Sequence, residues 1–307
     1  MRQSSVTAVT RLLVPIILLT ATVSWAKMWQ NQIVIKGETL KVGNAQAQSR
    51  GRSKATVKAD VAGQRKLRQT IVDGNWAGYV LTEHPPYTSI QGTWTVPGVS
   101  WIDYPPDPFG RPIYENTSNW VGIGGDPDVV LIQLGTQQTA LKSGPSNYSL
   151  WYELFPADPI TIDARRFTLN AGDTITATMT CITTCLPGQR STWILTMMNV
   201  GRWKYPFSIQ VQNPNTNLAS AEWIMEDSGS YNGNCSSYSC AITSFAYLPK
   251  YTATTFSGMR VNNQTSQLSP LQDVFMVADP EGKGWSVPSA PIGADSFTVS
   301  YVAPPAP

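Results

Sequence analysis

The chain has 307 residues, enough for one large or two ordinary domains, and it contains 22 Lys and Arg, 20 Asp and Glu, four cysteines and one histidine. Because His84 is the only histidine, a Ser-His-Asp or Cys-His arrangement has little support, and the HExxH, P-loop and GxGxxG motifs are absent. We therefore expect the chemistry of this protein to use carboxylates and amides.

Residues 1–26 have the pattern of a secretory signal peptide. Arg2 and Arg11 precede an apolar run at 12–23, and Ser24 and Ala26 supply small side chains near a cleavage site. The run is shorter than the about 20 apolar residues of a membrane-spanning helix. We predict a protein secreted to the extracellular space, with an uncleaved membrane anchor as the less favoured alternative.

Charge is distributed unevenly behind this leader. Residues 27–70 contain ten Lys or Arg and two acids, a net charge of +8, whereas the chain from residue 71 onward contains ten Lys or Arg and 18 acids, a net charge of −8. We predict that 27–70 is a basic pro-segment that binds the acidic body and inhibits it intramolecularly at neutral pH. A solvated tail is the alternative, and nucleic acid is not an expected partner, because no aromatic residues interleave with the later basic cluster.

The body at 71–307 is predicted to be all-β, with a Pro-rich tail at 303–307. Short runs rich in Val, Ile, Thr, Trp and Tyr alternate with Pro, Gly, Asn and Asp, which predicts strands separated by turns. Strands at this spacing favour a sandwich of two antiparallel sheets, of the lectin-like jelly-roll type. The predicted strands are 74–81, 89–96, 118–123, 129–134, 148–155, 174–180, 191–199, 205–211, 221–226, 242–247, 252–256 and 296–302.

The four cysteines are typical of an oxidising compartment. Cys181 and Cys185 flank the tip of a predicted hairpin, and Cys235 and Cys240 flank a Ser-rich loop, so we predict these two short-range disulfides. A metal site is not favoured, because the chain has no CxxC pair and no histidine near the cysteines.

Two polar residues in otherwise apolar strands are candidates for chemistry. In the strand 221–226, alternation puts Glu222, Ile224 and Glu226 on one face, and a carboxylate beside aromatic residues can become a general acid or base. Gln133 interrupts the apolar run 129–135, so its amide must find partners or face a cleft. Taken alone, each residue is more often structural.

Seven short segments occur in the order found in a known family. They are NWAG at 75–78, GTWTVP at 92–97, WVGI at 120–123, IQLG at 132–135, WYELFP at 151–156, GD at 172–173 and AEWIMED at 221–227. In these segments the chain resembles the glutamic peptidases, or eqolisins. The resemblance implies a sandwich of two antiparallel sheets, secretion with a basic pro-segment, and polypeptide substrates.

The resemblance also implies a catalytic dyad of Gln133 and Glu222, working without a metal or cofactor. Glu222 would take a proton from the attacking water and later give it to the leaving nitrogen, and Gln133 would hold the water and stabilise the oxyanion. The family's groove residues map onto Trp76, Trp151 and Glu153, although both tryptophans could instead belong to the core.

Two positions depart from the family pattern. Gly124 stands where the family often has the first aspartate of Gly-Ile-Asp-Gly-Asp, and Gln137 stands where an aspartate often follows the glutamine. Their loss leaves the dyad intact and suggests an optimum at less acid pH.

The leading hypothesis is a secreted, monomeric acid endopeptidase that contacts no membrane after signal cleavage. The alternative is a carbohydrate-binding or carbohydrate-cleaving sandwich, or an inactive binding module of the same fold. Glu222 and Glu226 are four residues apart, about 13 Å along a strand, which is too far for a glycosidase pair.

Overall fold

The computed structural model describes residues 32–35, 38–41, 55–58, 69–73, 75–103, 115–127, 130–213, 215–227, 229–231, 242–245, 247–268, 273–278 and 285–303. The predicted signal peptide, most of the predicted pro-segment and residues 304–307 lie outside this part of the chain. Within the described residues, no helix has the length and apolarity needed to cross a bilayer.

All secondary structure in the described residues is β. The strands up to the middle of the chain are β1 (Gln32–Ile35), β2 (Glu38–Lys41), β3 (Ala55–Lys58), β4 (Gln69–Asp73), β5 (Trp76–Leu81), β6 (Ser89–Thr95), β7 (Val99–Ser100), β8 (Glu115–Gly124), β9 (Leu131–Ala140), β10 (Asn147–Phe155) and β11 (Ile160–Thr161). The remaining strands are β12 (Thr174–Thr183), β13 (Ser191–Asn199), β14 (Phe207–Asn213), β15 (Ala221–Glu226), β16 (Gly229–Tyr231), β17 (Ile242–Phe245), β18 (Lys250–Tyr251), β19 (Thr254–Val261), β20 (Gln264–Thr265), β21 (Asp273–Ala278), β22 (Trp285–Pro288) and β23 (Phe297–Val302).

The large strands form two sheets. The first has the order β3-β4-β21-β5-β15-β8-β9-β10-β11, and every pair in it is antiparallel except β4 with β21. The second has the order β14-β13-β12-β6-β19-β23-β22, with β20 paired to β19. Because β22 also pairs with β21, the two sheets are joined along one side.

The main core lies between the two sheets. In β13, Trp193, Leu195 and Met197 are buried, and the residues between them face outward, which is the period of two expected for a strand with one solvated face. Trp223 of the first sheet reaches across the core and donates from Nε1 to the Gln91 carbonyl oxygen of β6, at 2.9 Å. The predicted two-sheet sandwich is confirmed.

The two outer faces differ in composition. On the first sheet, the outer face carries a second apolar cluster, whose members are Trp76, Val80, Trp120, Leu131, Trp151 and Ile224, and we call it the site face. The outer face of the second sheet, which we call the threonine face, is formed by β6, β12, β13 and β14. Its side chains are Gln91, Thr93, Thr95, Thr174, Thr176, Thr178, Thr180, Thr192, Ile194, Thr196, Met198, Ser208, Gln210 and Gln212.

Most predicted strands lie where they were expected, and the differences have physical reasons. The strands at 191–199 and 221–226 have the predicted bounds, whereas β8 begins three residues earlier than predicted. The sequence did not predict β21, because its run DVFMVA lacks the apolar–polar alternation from which strands were predicted. The strand lies between β4 and β5 in the sheet. Strand β4 crosses the predicted boundary at residue 71.

The described residues contain one disulfide, between Cys181 and Cys185, with an S–S distance of 2.05 Å. It joins the end of β12 to the turn before β13 and confirms the first predicted pair. The second predicted disulfide, between Cys235 and Cys240, lies outside the described residues.

Candidate active site

Three polar side chains stand in one row across the site face. Glu222 in β15 lies opposite Gly122 in β8, Gly122 lies opposite Gln133 in β9, and Gln133 lies opposite Glu153 in β10. Directly opposed residues of antiparallel strands point to the same face. With strands about 4.8 Å apart, the Glu222 and Gln133 backbones are about 10 Å apart, so their side chains can meet over Gly122.

The glycine between them leaves the necessary space. A Cβ atom at Gly122 would lie 2.7 Å from Cζ3 of Trp120, 2.9 Å from Cδ1 of Leu131 and 3.1 Å from Oε2 of Glu222. A larger residue would displace either the indole or the carboxylate. The position over Gly122 is therefore shared by the Glu222 carboxylate and the edge of the Trp120 ring.

Gln133 and Glu153 contact each other directly. Nε2 of Gln133 donates to Oε2 of Glu153, and both side chains are buried. Burial raises the pKa of Glu153 to about 8, and the charge of Glu226 acts in the same direction, against the hydrogen bond from Gln133. Glu153 is therefore neutral in acid. Oε1 of Gln133 is buried and has no hydrogen-bond partner among the described residues.

The two predicted groove tryptophans also lie on the site face. Trp151 is opposite Gly135 and two residues from Glu153, and Trp76 is opposite Glu226 in β15. Both belong to the outer apolar cluster and not to the core between the sheets. Nε1 of Trp151 is buried and has no hydrogen-bond partner among the described residues. The structure thus brings all five predicted site residues onto one face.

Sequence reasoning missed the network around Glu226. Oε1 of Glu226 accepts hydrogen bonds from Nδ2 of Asn75 at 2.7 Å and from Nε1 of Trp76 at 3.3 Å. Oε2 of Glu226 accepts from Nε1 of Trp120 at 2.7 Å. Alternation predicted the face of Glu226, but its donors come from other segments. The available signal was that all three donors belong to the family segments NWAG and WVGI.

The structure also gives a reason for one departure from the family pattern. Gly124 has φ +90°, and a Cβ atom there would lie 2.3 Å from the carbonyl oxygen of Val130 and 2.4 Å from Oγ1 of Thr216. This backbone has no room for an aspartate. Gln137 lies opposite Ser118 and Ser149 on the site face, so an uncharged amide occupies the second position.

The chain is similar in sequence and in fold to known peptidases. A sequence profile described as the peptidase A4 family matches residues 74–301. A scytalido-glutamic peptidase solved with a transition-state analogue inhibitor is 20% identical, covers 75% of this chain and 98% of its own, and has a TM-score of 0.56. SCP-B, a member of the eqolisin family solved with the tripeptide Ala-Ile-His, is 21% identical with the same coverage and a TM-score of 0.54. At this identity the two structures show a shared fold. No curated protein matches the chain.

Proposed function

The chain belongs to the peptidase A4 family, the glutamic endopeptidases or eqolisins, and from that premise we propose that Glu222 and Gln133 hydrolyse peptide bonds in polypeptide substrates. The observation that carries the proposal is the row in which Glu222, Gly122 and Gln133 lie side by side. A general base and an oxyanion donor must flank one reacting carbonyl, and Glu222 and Gln133, on the two strands that flank Gly122, have that arrangement.

The reaction proceeds in two steps. The Glu222 carboxylate takes a proton from a water molecule while the water oxygen forms a bond to the carbonyl carbon, and the carbonyl π electrons move to oxygen. An Nε2 hydrogen of Gln133 stabilises this oxyanion. As the carbonyl re-forms and the C–N bond breaks, the protonated Glu222 gives its proton to the leaving nitrogen. Glu222 is then a carboxylate again.

The orphaned atoms of the site support these roles. Oε1 of Gln133 is an acceptor with no described partner, and the attacking water can donate its second hydrogen to it while Glu222 removes the first. Nε1 of Trp151, on the same face, has no partner in the part of the chain that the structure describes, and it is suited to a backbone carbonyl of an extended substrate. Because a carboxylate is a weak base, we expect the reaction in acid, where Glu153 adds no charge.

We propose that residues 1–26 direct secretion and that residues 27–70 inhibit the monomeric body until it is released. The charge contrast of +8 against −8 supports binding of the segment to the body, and β3 and β4 pair with the first sheet through β21. The check is a binding assay of a 27–70 peptide with the separated body. We expect binding at pH 7 and release in acid, and absence of binding at pH 7 would contradict it.

The test of the dyad is hydrolysis of a denatured protein from pH 2 to pH 7 by the wild type and by Glu222→Gln, after removal of residues 27–70. The variant keeps the shape of the side chain and loses the base. We expect kcat/KM to fall by about 10²–10⁴-fold, the usual contribution of a positioned general base. A folded variant that kept substantial turnover would refute this dyad. Wild-type inactivity at every pH would refute the peptidase function itself and leave the carbohydrate-binding alternative.

A further inference from the structure

Glu226 holds two aromatic rings of the site face in place. It is the last residue of β15, in register with Trp76 of β5 and Ser118 of β8, and it lies on the same face as Glu222. Its two carboxylate oxygens accept from the indole nitrogens of Trp76 and Trp120, together with the amide of Asn75. A carboxylate acceptor makes these hydrogen bonds stronger than a neutral acceptor would.

The Trp120 ring connects this carboxylate to the proposed base. Trp120 is fully buried and meets Trp76 edge to face, with ring centroids 4.9 Å apart and an interplanar angle of 78°. One end of the indole donates to Oε2 of Glu226, and the other end, at Cζ3, approaches the space over Gly122 that Oε2 of Glu222 also borders. A rotation of the indole would therefore change the room available to the Glu222 carboxylate.

We propose that Glu226 is a positioning residue: it fixes the Trp120 indole, and the fixed ring confines the Glu222 carboxylate over Gly122 toward Gln133. The inference rests on the proposed function, because it concerns the placement of its general base. A buried indole N–H requires an acceptor, and a ring anchored through its Nε1 resists displacement when the Glu222 carboxylate moves. Misplacement of a reacting group by about 1 Å can cost about 10²-fold in rate.

The first arm of the test compares Glu226→Gln with Trp120→Phe. In the glutamine an NH2 group, which cannot accept, replaces one of the two carboxylate oxygens, and the remaining acceptor is neutral, so the hydrogen bonds to the indoles are weakened or lost. Trp120→Phe keeps an aromatic ring and removes the donor. We expect kcat to fall by about 10- to 100-fold in each variant, with KM within about threefold of wild type, since neither variant removes a groove side chain. Thr178→Ala on the threonine face is the matched control, expected at the wild-type rate.

The double variant decides whether Glu226 acts through Trp120. If it does, Glu226→Gln combined with Trp120→Phe loses no more activity than either single variant, because both break the same link. Losses that multiply would overturn the proposal, since they would show two independent contributions. A Glu226→Gln protein with kcat within twofold of wild type would overturn it as well.

An NMR readout separates this inference from the proposed activity. The indole N–H resonance absent from Trp120→Phe identifies Trp120 in the wild type, and its shift in Glu226→Gln reports the lost carboxylate acceptor. An unmoved resonance would overturn the proposal even if peptide hydrolysis were confirmed.

If the wild type cleaves no peptide, the proposed function fails, and with it the role of Glu226 in placing a base. The resonance would still show whether Glu226 holds the Trp120 ring. If Glu226→Gln does not fold, kcat of Trp120→Phe carries the test, and a value within twofold of wild type overturns the proposal.

Discussion

The site face and the threonine face are built by the same strand alternation, yet only the site face carries ionisable and aromatic side chains. The site face presents carboxylates, amides and tryptophans, and among them Glu222, Gln133, Glu153 and the three tryptophans are buried. The threonine face presents hydroxyls, amides and two apolar side chains, and its fourteen positions include no ionisable group. Hydroxyl pairs such as Thr93 with Thr176, at 2.9 Å, connect its strands.

This difference shows where a sandwich can place chemistry. Strands β5, β8 and β15 are buried on both faces, so a polar side chain on the site face is removed from water and its hydrogen bonds and pKa respond strongly to its neighbours. On the threonine face, water solvates the side chains and each substitution should act alone. The following changes test this contrast, from the largest expected effect to the smallest.

Gln133→Glu should have the largest effect. It replaces the proposed oxyanion donor with a carboxylate that stands between Glu153 and Glu222. We expect kcat to fall by about 10²–10³-fold, as for loss of an oxyanion-hole donor. Steady-state kinetics on a peptide substrate measure it, with circular dichroism to verify folding. Near-normal rates would show that Gln133 is structural.

Gly122→Ala should come next. Its methyl group would lie 2.7 Å from Trp120, 2.9 Å from Leu131 and 3.1 Å from the Glu222 carboxylate. The side chains beside the proposed base must therefore shift, and we expect about 10- to 100-fold lower kcat. Gly98→Ala is a suitable control, because a Cβ atom there would meet nothing closer than 3.8 Å. Equal rates for the two variants would mean that the space over Gly122 is not used.

Asp173→Asn tests how far hydrogen bonds to a carboxylate beside the second sheet stabilise the protein. Asp173 accepts from Nε and Nη2 of Arg202 at 2.9 and 2.7 Å, and from Nδ2 of Asn199 at 2.8 Å. Loss of these charged hydrogen bonds should lower the free energy of unfolding by about 1.5–3 kcal/mol, with kcat unchanged. Denaturant titration and kinetics on the same samples measure both quantities.

The pH dependence of this stability has a defined sign. Burial raises the pKa of Asp173, but the hydrogen bonds from Arg202, Asn199 and the Asn170 amide outweigh it and hold the pKa below its ordinary value. The contribution is therefore present above the unfolded pKa and is lost as pH falls through the folded pKa. The difference in the free energy of unfolding between the wild type and Asp173→Asn should therefore become smaller in strong acid. A difference constant down to pH 2 would contradict this account.

Glu153→Gln should change the pH dependence of the free energy of unfolding more than it changes kcat. Because the folded pKa of about 8 lies above the ordinary 4.5, the folded state holds a proton between these values that the unfolded state has released. Wild-type stability should therefore decline as pH rises from 4.5 to 8, by at most about 1.4 kcal/mol per pH unit. The variant should lose this slope in unfolding titrations at pH 5, 6 and 7, and an unchanged slope would refute it.

Thr178→Val should have the smallest effect. It replaces a hydroxyl on the threonine face by a methyl group, and we expect the free energy of unfolding to change by about 0.5 kcal/mol or less, equally at pH 3 and pH 7. A pH-dependent effect would show that an ionisable group acts on this face, and it would contradict the difference between the two faces.

Much of the fold follows from local sequence pattern. Alternation located most strands and the two-sheet architecture, and it put Glu222 and Glu226 on one face, because a period of two needs only the strand itself. The Cys181–Cys185 disulfide followed from its position at a hairpin tip. Only the resemblance to the family linked Gln133 with Glu222.

What local pattern could not give is the pairing between distant strands. The register that puts Gly122 between Gln133 and Glu222 depends on which strands become neighbours, and so do the donors of Glu226. The space for a side chain at Gly124, the last residue of β8, is taken by the carbonyl oxygen of Val130 and by Thr216, and Thr216 is distant in sequence. Such facts emerge only when the sheet is assembled.

The threonine face offers a practical handle on this enzyme. It lies on the far side of the core from the site face, and its centre carries no lysine or cysteine of its own. A cysteine introduced at Thr178 would tether the molecule to a solid support through the threonine face, with the site face directed toward the solution.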